Sequence, residues 1–437
     1  MIEITGRRSA AIVAEIEAAV TEGRLRPGER LPAVRDLAAR LGVGAATAAS
    51  AYRALSQRGV VVSDGRRGTA VSDAPALGVG PPAGLAEGVR NLSLGNPDPR
   101  LLPDLRAALA GIRTEHRLYG EAPILPELEA LAGRALAADG IPARHLAIVS
   151  GALDGMERVI VARLRPGDRV AVEDPGFPAI RDLAGACGLR PIPVPVDAEG
   201  MVPEGLGSAL RTGARAVILT PRAQNPTGAS LTGARRDALL AVLAAHPETL
   251  VIEDDFVGPI SGAPAVTLAA GGRERWAVVR SVSKSLGPDL RVAFLAGDET
   301  TLARIQWRQA AGAGWVSHLL QRTVVRLWRD PSTIVTIERA SRIYGERRRA
   351  LLDALRDAGV VAHGGSGLNV WVPVVDEAVT RQGLLERGWA VAAGERFRIR
   401  SRAAVRITAA TLEPEESQRL AADLAAVLRM RATTRTA

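Results

Sequence analysis

The first sixty residues carry apolar side chains at intervals of three and four, a spacing that predicts three short amphipathic helices. Gly23 and Gly42 end the first two helices, and Gly28 and Pro32 interrupt the chain between them. The third helix is expected over about residues 45–58. The apolar positions of the three helices are Ile12, Ile16, Ala19 and Val20, then Val34, Leu37, Ala38 and Leu41, then Ala48, Ala51, Tyr52 and Leu55.

Two short runs rich in β-branched residues, 60–62 and 69–71, follow the third helix. They flank residues 64–68, which have turn residues at both ends and two arginines between them, so the pattern predicts a β-hairpin. Two helices joined by a short glycine-containing turn and followed by such a hairpin are typical of a winged helix-turn-helix domain. We assign this domain to residues 1–73.

Residues 74–90 are rich in glycine, proline and alanine and show no periodicity, which indicates a linker. A flexible coil of that length spans on the order of 20 Å. The two parts of the chain that it joins are therefore expected to move relative to each other.

Apolar strands alternate with helical stretches from residue 91 onward. Alternation of this kind predicts an α/β fold with a mainly parallel sheet, which we assign to residues 91–430. The ligand site of such a sheet is expected at the carboxyl ends of its strands. The clearest predicted strands are residues 145–149, 169–173, 216–220 and 250–253.

Composition and charge limit the class of protein. A chain of 437 residues is too long for one ordinary core, and a net charge of +9 permits a polyanionic partner. Cys187 is the sole cysteine, so a disulfide framework is excluded. The N-terminus carries acid and lacks the apolar core of a signal peptide, and no apolar run is long enough to span a membrane. We therefore predict a cytoplasmic protein with no membrane partner and no metal site.

Of the 56 basic residues, 55 are arginine, and Lys284 is the single lysine. Arginine matches lysine in ion pairing, but only an amine can lose its proton, attack an aldehyde and form a Schiff base. Ser281, Ser283 and Arg291 lie near it in the sequence and are residues that can hold a phosphate. Chance retention of one surface lysine in an arginine-rich chain is the alternative. The pattern favours a lysine that binds pyridoxal phosphate.

The predicted strands of the large domain end in loops with chemically distinctive residues. One of these loops precedes a helix N-terminus, where free backbone amides suit a phosphate. The residues at the strand ends are Ser150, Gly151 and Ala152, then Phe177, then Asn225, then Asp254, Asp255 and Phe256, and finally Lys284.

These motifs, taken in order, resemble those of the class I/II aminotransferases, which are fold-type I pyridoxal phosphate enzymes, over nearly all of residues 91–430. Residues 25–38 resemble the operator-binding domain of GntR-type regulators. The combination resembles the MocR family of transcriptional regulators and covers the whole chain. The resemblance implies an α/β protein with a winged helix-turn-helix followed by an aminotransferase-like domain, whose mainly parallel sheet is accompanied by a smaller C-terminal α+β part.

The resemblance also implies roles for the strand-end residues. Lys284 would form the internal aldimine with pyridoxal 5'-phosphate, Phe177 would stack on the ring, and Asn225 would hydrogen-bond the phenolic oxygen. Asp254 would face the pyridine nitrogen and keep it protonated, although the order of Asp254 and Asp255 relative to the ring stays open. The residues implied to hold the phosphate are Ser150, Gly151, Ala152, Ser281, Ser283, Arg291 and, across a homodimer, Tyr119.

Three further positions concern a substrate or effector. Arg406 matches the arginine that binds a substrate carboxylate bidentately, and Asn96 lies where aminotransferases have a mobile N-terminal segment. Phe256 stands where the family has a tyrosine. The missing hydroxyl implies an altered aldimine pKa and weak or absent transaminase turnover.

By resemblance to GntR-type regulators, Arg35 contacts DNA, the third helix enters the major groove, and the hairpin reaches the minor groove. The helix starts with alanines, which cannot read base edges bidentately, so sequence readout would fall to other residues. A solvated face of a helical adaptor is the alternative interpretation. The candidate DNA-binding residues are Arg35, Thr47, Arg53, Arg66 and Arg67.

We therefore expect a transcriptional regulator that binds operator DNA and responds to a small effector, either pyridoxal phosphate itself or an amine or amino acid. Residues 95–98 and 222–228 resemble members of the family that govern vitamin B6 salvage. Two other classes stay open. In the first alternative, the chain is a working aminotransferase with a DNA-binding arm. In the second, its large domain is a dimerisation scaffold with a vestigial cofactor site.

Overall fold

The computed structural model describes residues 4–7, 9–57, 60–63, 68–72, 85–112 and 116–434. The chain forms two compact units. The first contains the residues up to Ala86 together with Arg165–Asp168 and Asp182–Arg190, and the second contains the remainder. No helix within the described ranges is long and apolar enough to cross a bilayer.

Three helices and a two-stranded antiparallel hairpin share one core at the start of the chain. The second helix ends at Gly42, whose φ of 61° lets its amide reach the carbonyls of Ala38 and Ala39. The Tyr52 hydroxyl donates a 2.8 Å hydrogen bond to the Pro32 carbonyl and so fixes the third helix to the segment before the second. This arrangement confirms the predicted helix-turn-helix. Its elements are α1 (Ser9–Thr21), α2 (Val34–Leu41), α3 (Ala45–Gln57), β1 (Val61–Ser63) and β2 (Thr69–Val71).

The rest of the chain alternates strands with helices. Its strands are β3 (Arg90–Asn91), β4 (Leu146–Val149), β5 (Arg169–Asp174), β6 (Arg190–Asp197), β7 (Gly200–Met201), β8 (Ala214–Leu219), β9 (Leu250–Asp255), β10 (Trp276–Ser281), β11 (Ala293–Gly297), β12 (Asn369–Pro373), β13 (Trp389–Ala390), β14 (Ala392–Ala393) and β15 (Ala404–Thr408). Its helices are α4 (Leu105–Ala110), α5 (Pro126–Ala138), α6 (Ala152–Arg163), α7 (Pro178–Ala186), α8 (Pro203–Arg211), α9 (Gly233–Ala244), α10 (Glu299–Ala311), α11 (His318–Arg329), α12 (Pro331–Asp357), α13 (Glu377–Leu385) and α14 (Pro414–Thr434).

Eight strands form one sheet in the order β4–β11–β10–β9–β8–β5–β6–β7. Strands β5, β8, β9 and β10 pair in parallel, whereas β11 is antiparallel to both β10 and β4. The central strands are buried along nearly their whole length, which is why they appear in the sequence as continuous apolar runs. The predicted α/β fold is confirmed, with a mixed sheet whose central strands are parallel. The carboxyl ends of these parallel strands meet at one edge.

The C-terminal part forms a smaller α+β layer, as expected. Strands β12, β15 and β14 make an antiparallel sheet, and β13 pairs in parallel with β3 near the start of the large domain. Buried residues of α12, β12, β15 and α14 share one apolar cluster that includes Leu351, Val370, Ile407 and Leu424. This layer places β15, and with it Arg406, next to the segment that follows β3.

Candidate functional site

A cavity of about 220 Å³ lies at the carboxyl edge of the large sheet. One wall comes from the segments that end or follow β5, β9 and β10, and another from the segment after β3 and from β12 and β15. Residues distant in sequence therefore meet in one place, as expected for the crevice of such a sheet. The lining residues are Leu94, Gly95, Ala152, Leu153, Met156, Phe177, Asn225, Asp254, Phe256, Val257, Ser281, Ser283, Lys284, Pro288, Arg291, Leu368, Asn369 and Arg406.

Lys284 lies just after β10, and its amine points into this cavity. Its Nζ donates a 2.8 Å hydrogen bond to the Gly95 carbonyl. Burial lowers the pKa of Lys284 to about 8, and the positive charge of Arg406 adds to this effect. The Ser281 hydroxyl donates to the Ser283 hydroxyl at 2.8 Å, and both side chains line the same cavity.

Asp254 and Asp255 are neighbours at the end of β9 but lie in opposite environments. Burial alone would raise the pKa of Asp255, but hydrogen bonds from Arg222 (2.9 Å) and Arg280 (2.6 Å) outweigh it and lower the pKa. Asp254 lines the cavity, and its buried Oδ1 has no hydrogen-bond partner among the described residues. Burial, followed by the charges of Asp255 and Glu173, raises the pKa of Asp254 to about 8. These surroundings therefore favour the neutral, protonated form of Asp254.

Glu173 is a second buried acid near Asp254. Burial raises the pKa of Glu173 to about 7, and the Gln224 amide donates to its Oε2 at 3.2 Å. Its Oε1 has no partner within the part of the chain that the structure describes. The two acids share a region of low dielectric constant, so they oppose each other's ionisation.

The N-terminus of α6 lies beside Arg291. Gly151 has a φ of 99°, a backbone conformation that favours glycine, and a Cβ at this position would displace the Arg291 guanidinium. Arg291 donates a 3.2 Å hydrogen bond to the Ser150 carbonyl, and the Ser150 amide donates to Asp154. Ala152 and Arg291 line the cavity, whereas Ser150 and Gly151 are not among its lining residues.

Arg406 lies on β15 and is buried. It donates to the Asn225 side-chain oxygen at 3.1 Å and to the Ser93 carbonyl, and its guanidinium lies 4.7 Å from the centre of the Phe397 ring. Burial lowers the pKa of Arg406 to about 10, with a contribution from the positive charge of Arg396. A guanidinium held in this way presents a fixed cation to the cavity.

Asn369 and Thr408 extend this polar network. The Asn369 amide approaches the Asn225 side-chain oxygen at 3.4 Å, and the Thr408 hydroxyl donates to the Asn369 oxygen at 3.0 Å. The same hydroxyl accepts a 3.1 Å hydrogen bond from the Gly95 amide. The first segment of the large domain is thereby joined to the loop after β8.

The remaining candidates of the large domain fall into two groups. Phe177 and Phe256 line the cavity, whereas Asn96 is exposed and lies outside its wall. Tyr119 is 93% exposed, and its ring contacts only the edge of Trp315 among the aromatic rings described. Tyr119 is therefore absent from the cavity of its own chain.

The DNA-binding candidates lie in the N-terminal unit. Arg35 is exposed in the first turn of α2, and Thr47 is half-buried near the start of α3. Arg53 is a residue of α3, but its side chain lies outside the described part of the chain. Arg66 and Arg67, at the predicted hairpin tip, also lie outside the described residues.

Comparisons with known proteins identify both parts of the chain. Residues 8–71 match the model of the bacterial regulatory proteins of the gntR family, and residues 87–424 match that of aminotransferase class I and II. The vitamin B6 salvage pathway transcriptional repressor PtsJ of Salmonella typhimurium is 42% identical over 429 residues, 96% of this chain and 98% of that protein. The chain belongs to the MocR-type transcriptional regulators. The HTH-type transcriptional regulator TauR of Rhodobacter capsulatus is 32% identical over 80% of this chain and 79% of its own length.

Solved structures similar to this MocR-type regulator include aminotransferases. LysN, an α-aminoadipate aminotransferase of Thermus thermophilus complexed with N-(5'-phosphopyridoxyl)-L-leucine, has a TM-score of 0.71 at 25% identity and covers 80% of this chain and 94% of its own. A kynurenine aminotransferase of Pyrococcus horikoshii has a TM-score of 0.73 at 22% identity, with 79% and 92% covered, and shows the fold alone. The large domain of this MocR-type regulator therefore has the aminotransferase fold.

Sequence reasoning overlooked several residues of the site. Asn369 and Thr408 belong to the polar network, but asparagine and threonine in a strand give no signal of their own. Glu173 directly precedes Asp174 at the end of a predicted apolar strand, and a charged residue in that position was a usable signal. The carbonyls of Ser93 and Gly95 carry no information in their residue type.

Proposed function

We propose that this MocR-type regulator binds pyridoxal 5'-phosphate covalently through Lys284 and couples the state of the cavity to operator binding. The observation that carries the proposal is the placement of the single lysine amine, with its lowered pKa, in one cavity with the neutral acid Asp254 and the cation Arg406. The similarity to a repressor of vitamin B6 salvage supports a role in vitamin B6 metabolism.

The side chains of the cavity fit pyridoxal phosphate. The N-terminus of α6 at Ala152, the hydroxyls of Ser281 and Ser283 and the guanidinium of Arg291 offer donors and positive charge to a phosphate. The buried Oδ1 of Asp254 lacks a partner among the described residues, and a protonated pyridine nitrogen would satisfy it. Bound pyridoxal phosphate supplies an aldehyde that accepts an amine and a ring that withdraws electrons.

The protein side chains prepare the site for this ligand. Because the pKa of Lys284 is about 8, about one tenth of the amine is neutral at pH 7, and the neutral form is the nucleophile. Asp254 holds a proton in the free site and can give it up once a cationic partner is present. Asn225 and Phe177 position a planar ring, and Arg406 binds the carboxylate of an amino acid effector.

The N-terminal unit would read the operator. We infer that Arg35 and Thr47, with Arg53, Arg66 and Arg67, contact DNA, and that the arginines bind phosphates as well as bases. The net charge of +9 favours association with a polyanion. A homodimer is part of the proposal, because the 93% exposed Tyr119 can serve the cavity of a second copy but not its own.

An absorbance spectrum tests the cofactor. Purified protein incubated with pyridoxal phosphate should show a band in the near-visible range that borohydride abolishes, and peptide mass spectrometry should place the reduced adduct on Lys284. Lys284→Ala should lose the band and the adduct. A native protein that stays colourless with excess pyridoxal phosphate would refute covalent binding.

A second candidate function is an active aminotransferase with a DNA-binding arm. The presence of Arg406 and Lys284 in the same cavity favours it, because a transaminase needs both a carboxylate clamp and an amine. Phe256, in place of the tyrosine of related enzymes, favours the first function, a regulator that senses a ligand without turnover. Steady-state turnover with common amino acids and 2-oxo acids separates the two, and we expect it to be slow or absent.

A further inference from the structure

A second concave surface of the large domain lies along α12, away from the cavity described above. One side of this groove, here called the α12 groove, comes from α12 and the other from residues 259 and 262. Its volume is about 600 Å³, a size typical of sites for small organic molecules. Among the described residues, none lines both the α12 groove and the cavity.

Positive charge dominates the lining of the α12 groove. Arg342, Arg348 and Arg349 contribute three guanidinium groups, and Glu338 is the one acid among the described lining residues. Glu346, outside the lining, lies 3.6 Å from Arg342 in an exposed ion pair. No carboxylate of the described ranges pairs with Arg348 or Arg349, so two cations of the groove lack a counter-ion.

Arg348 is buried although its charge has no counter-ion among the described residues. Its neighbour Arg347 is buried to a similar degree, but it is ion-paired with Asp98 at 2.9 Å and with Glu413 at 2.6 Å. Burial lowers the pKa of Arg348 to about 10, and the positive charge of Arg349 adds to this effect. Because a buried charge is costly without an opposite charge nearby, an anion in the groove would stabilise the charged form of Arg348.

The shape of α12 leaves room between the two exposed cations. Arg342 and Arg349 are seven residues apart, so they lie on the same face of the helix, two turns from each other. Gly345 lies between them, and beyond its chain neighbours and the backbone of its own helix no atom lies within 4 Å of the position that a Cβ would take. The Ser341 hydroxyl lines the same groove and can donate. A compact anion therefore fits between the two guanidinium groups.

We propose that the α12 groove is a second ligand site, which binds a small phosphate-bearing molecule. A phosphate monoester carries about 1.5 to 2 negative charges at pH 7, which matches the two cations without a counter-ion. Guanidinium groups recognise phosphate oxygens in pairs, through two parallel hydrogen bonds. The site does not depend on a cofactor at Lys284, because its residues are separate from those of the cavity.

One loop joins the α12 groove to the cavity. The Arg348 guanidinium donates to the carbonyls of residues 364, 365 and 367 at 2.9, 3.1 and 2.7 Å. Directly after this loop, Leu368 and Asn369 line the cavity, and the Asn369 amide approaches the Asn225 oxygen at 3.4 Å. An anion that fixes Arg348 therefore steadies a wall of the cavity.

Titration calorimetry of the full-length protein with inorganic phosphate, at constant ionic strength, tests the site. In Arg342→Gln combined with Arg349→Gln, the phosphate affinity of the groove should fall about tenfold or more, because charge-assisted hydrogen bonds are lost. Arg308→Gln, at an exposed arginine of α10 that lines neither the groove nor the cavity, is the matched control and should bind phosphate as the native protein does. Equal phosphate affinity in the double variant and the control would overturn the site, as would a native protein without saturable binding of phosphate.

The cavity could also take up phosphate, so Arg291→Gln separates the two sites. This change removes a cation of the cavity and should leave the phosphate affinity of the groove intact. If Arg291→Gln abolishes all binding of phosphate, the anion belongs to the cavity and the α12 groove is not a ligand site.

Gly345→Leu changes the shape of the groove and keeps its charge. Leucine favours a helix more than glycine does, and its side chain would fill the space between Arg342 and Arg349. The phosphate affinity of the groove should again fall about tenfold or more, because the anion is excluded sterically. Unchanged affinity would contradict a defined site; if this variant does not fold, the double arginine variant decides.

Hydrogen–deuterium exchange tests the link between the groove and the cavity. Phosphate should slow the exchange of peptides that span residues 364–369 in the native protein and in Arg291→Gln, but not in the double variant of Arg342 and Arg349. Phosphate binding without this change would overturn the link and keep the site. If the double variant loses affinity for operator DNA but keeps its affinity for phosphate, the groove is a DNA contact and the small-ligand proposal is wrong.

Discussion

At the scale of single residues, the reactivity of Lys284 depends on its surroundings. Burial and the charge of Arg406 both favour the neutral amine and lower the pKa of Lys284 to about 8. The rate of attachment of pyridoxal phosphate should therefore rise with pH and level off above about pH 8. In Arg406→Gln, one cause of the lowered pKa is absent, so the midpoint of the rate profile should move to higher pH.

Stopped-flow absorbance between about pH 6 and 10 measures both profiles. Arg356→Gln, which changes an exposed arginine at the end of α12, serves as the control and should keep the midpoint of the native protein. An unchanged midpoint in Arg406→Gln would show that Arg406 does not act on the amine.

The pair Asp254 and Asp255 allows a matched comparison at the same scale. Asp255→Asn removes the charge between Arg222 and Arg280, and breaking such a buried ion pair costs about 3–5 kcal/mol of folding free energy. Asp254→Asn replaces a neutral acid by an amide of similar size, so its free energy of unfolding should change little. Its affinity for pyridoxal phosphate should fall about tenfold or more, because the charge-assisted hydrogen bond to the ring is lost.

Urea denaturation and spectroscopic titration of the two variants measure these effects. Cofactor affinity is compared between the folded fractions of the two variants. If Asp255→Asn loses more affinity than Asp254→Asn, the assignment of Asp254 to the cofactor is wrong.

At the scale of elements, α2 and α3 determine how the N-terminal unit meets DNA. Arg35→Ala should weaken operator binding about tenfold, within the range for loss of one specific contact, and should leave the cofactor band unchanged. A double change of Arg66 and Arg67 to alanine should weaken it as well and reduce its salt dependence. Fluorescence anisotropy with a fragment from upstream of its own gene gives these affinities. Arg24→Ala, at an exposed arginine just after α1 that pairs with Glu22, is the control; if it costs as much as Arg35→Ala, the effect is general electrostatics.

The same scale shows what the sequence could predict. The strands, the sheet edge and the strand-end residues Lys284 and Asn225 follow from local patterns, because a buried strand and the loop after it are contiguous in the chain. The order of Asp254 and Asp255 could not be read, since every residue of β9 is buried and alternation is hidden. Which aspartate faces the cavity depends on Arg222 and Arg280, which bind Asp255 and lie 33 and 25 residues away from it in the sequence.

At the scale of the whole molecule, a regulator differs from an enzyme in what it must do with its ligand. A regulator needs only a ligand that binds two conformations unequally, whereas an enzyme must also release product and repeat the cycle. A ligand that shifts the balance between two conformations requires no turnover.

Reciprocal coupling between DNA and cofactor is the test at this scale. If pyridoxal phosphate changes the affinity for operator DNA by some factor, thermodynamic linkage requires that operator DNA change the affinity for pyridoxal phosphate by the same factor, typically ~5–150-fold. Operator titrations with and without cofactor, and cofactor titrations with and without operator, give the two factors independently on the full-length protein. Lys284→Ala should still bind the operator but lose its response to pyridoxal phosphate. Operator binding indifferent to cofactor, together with transaminase turnover above about 1 s⁻¹, would instead favour an enzyme that carries a DNA-binding arm.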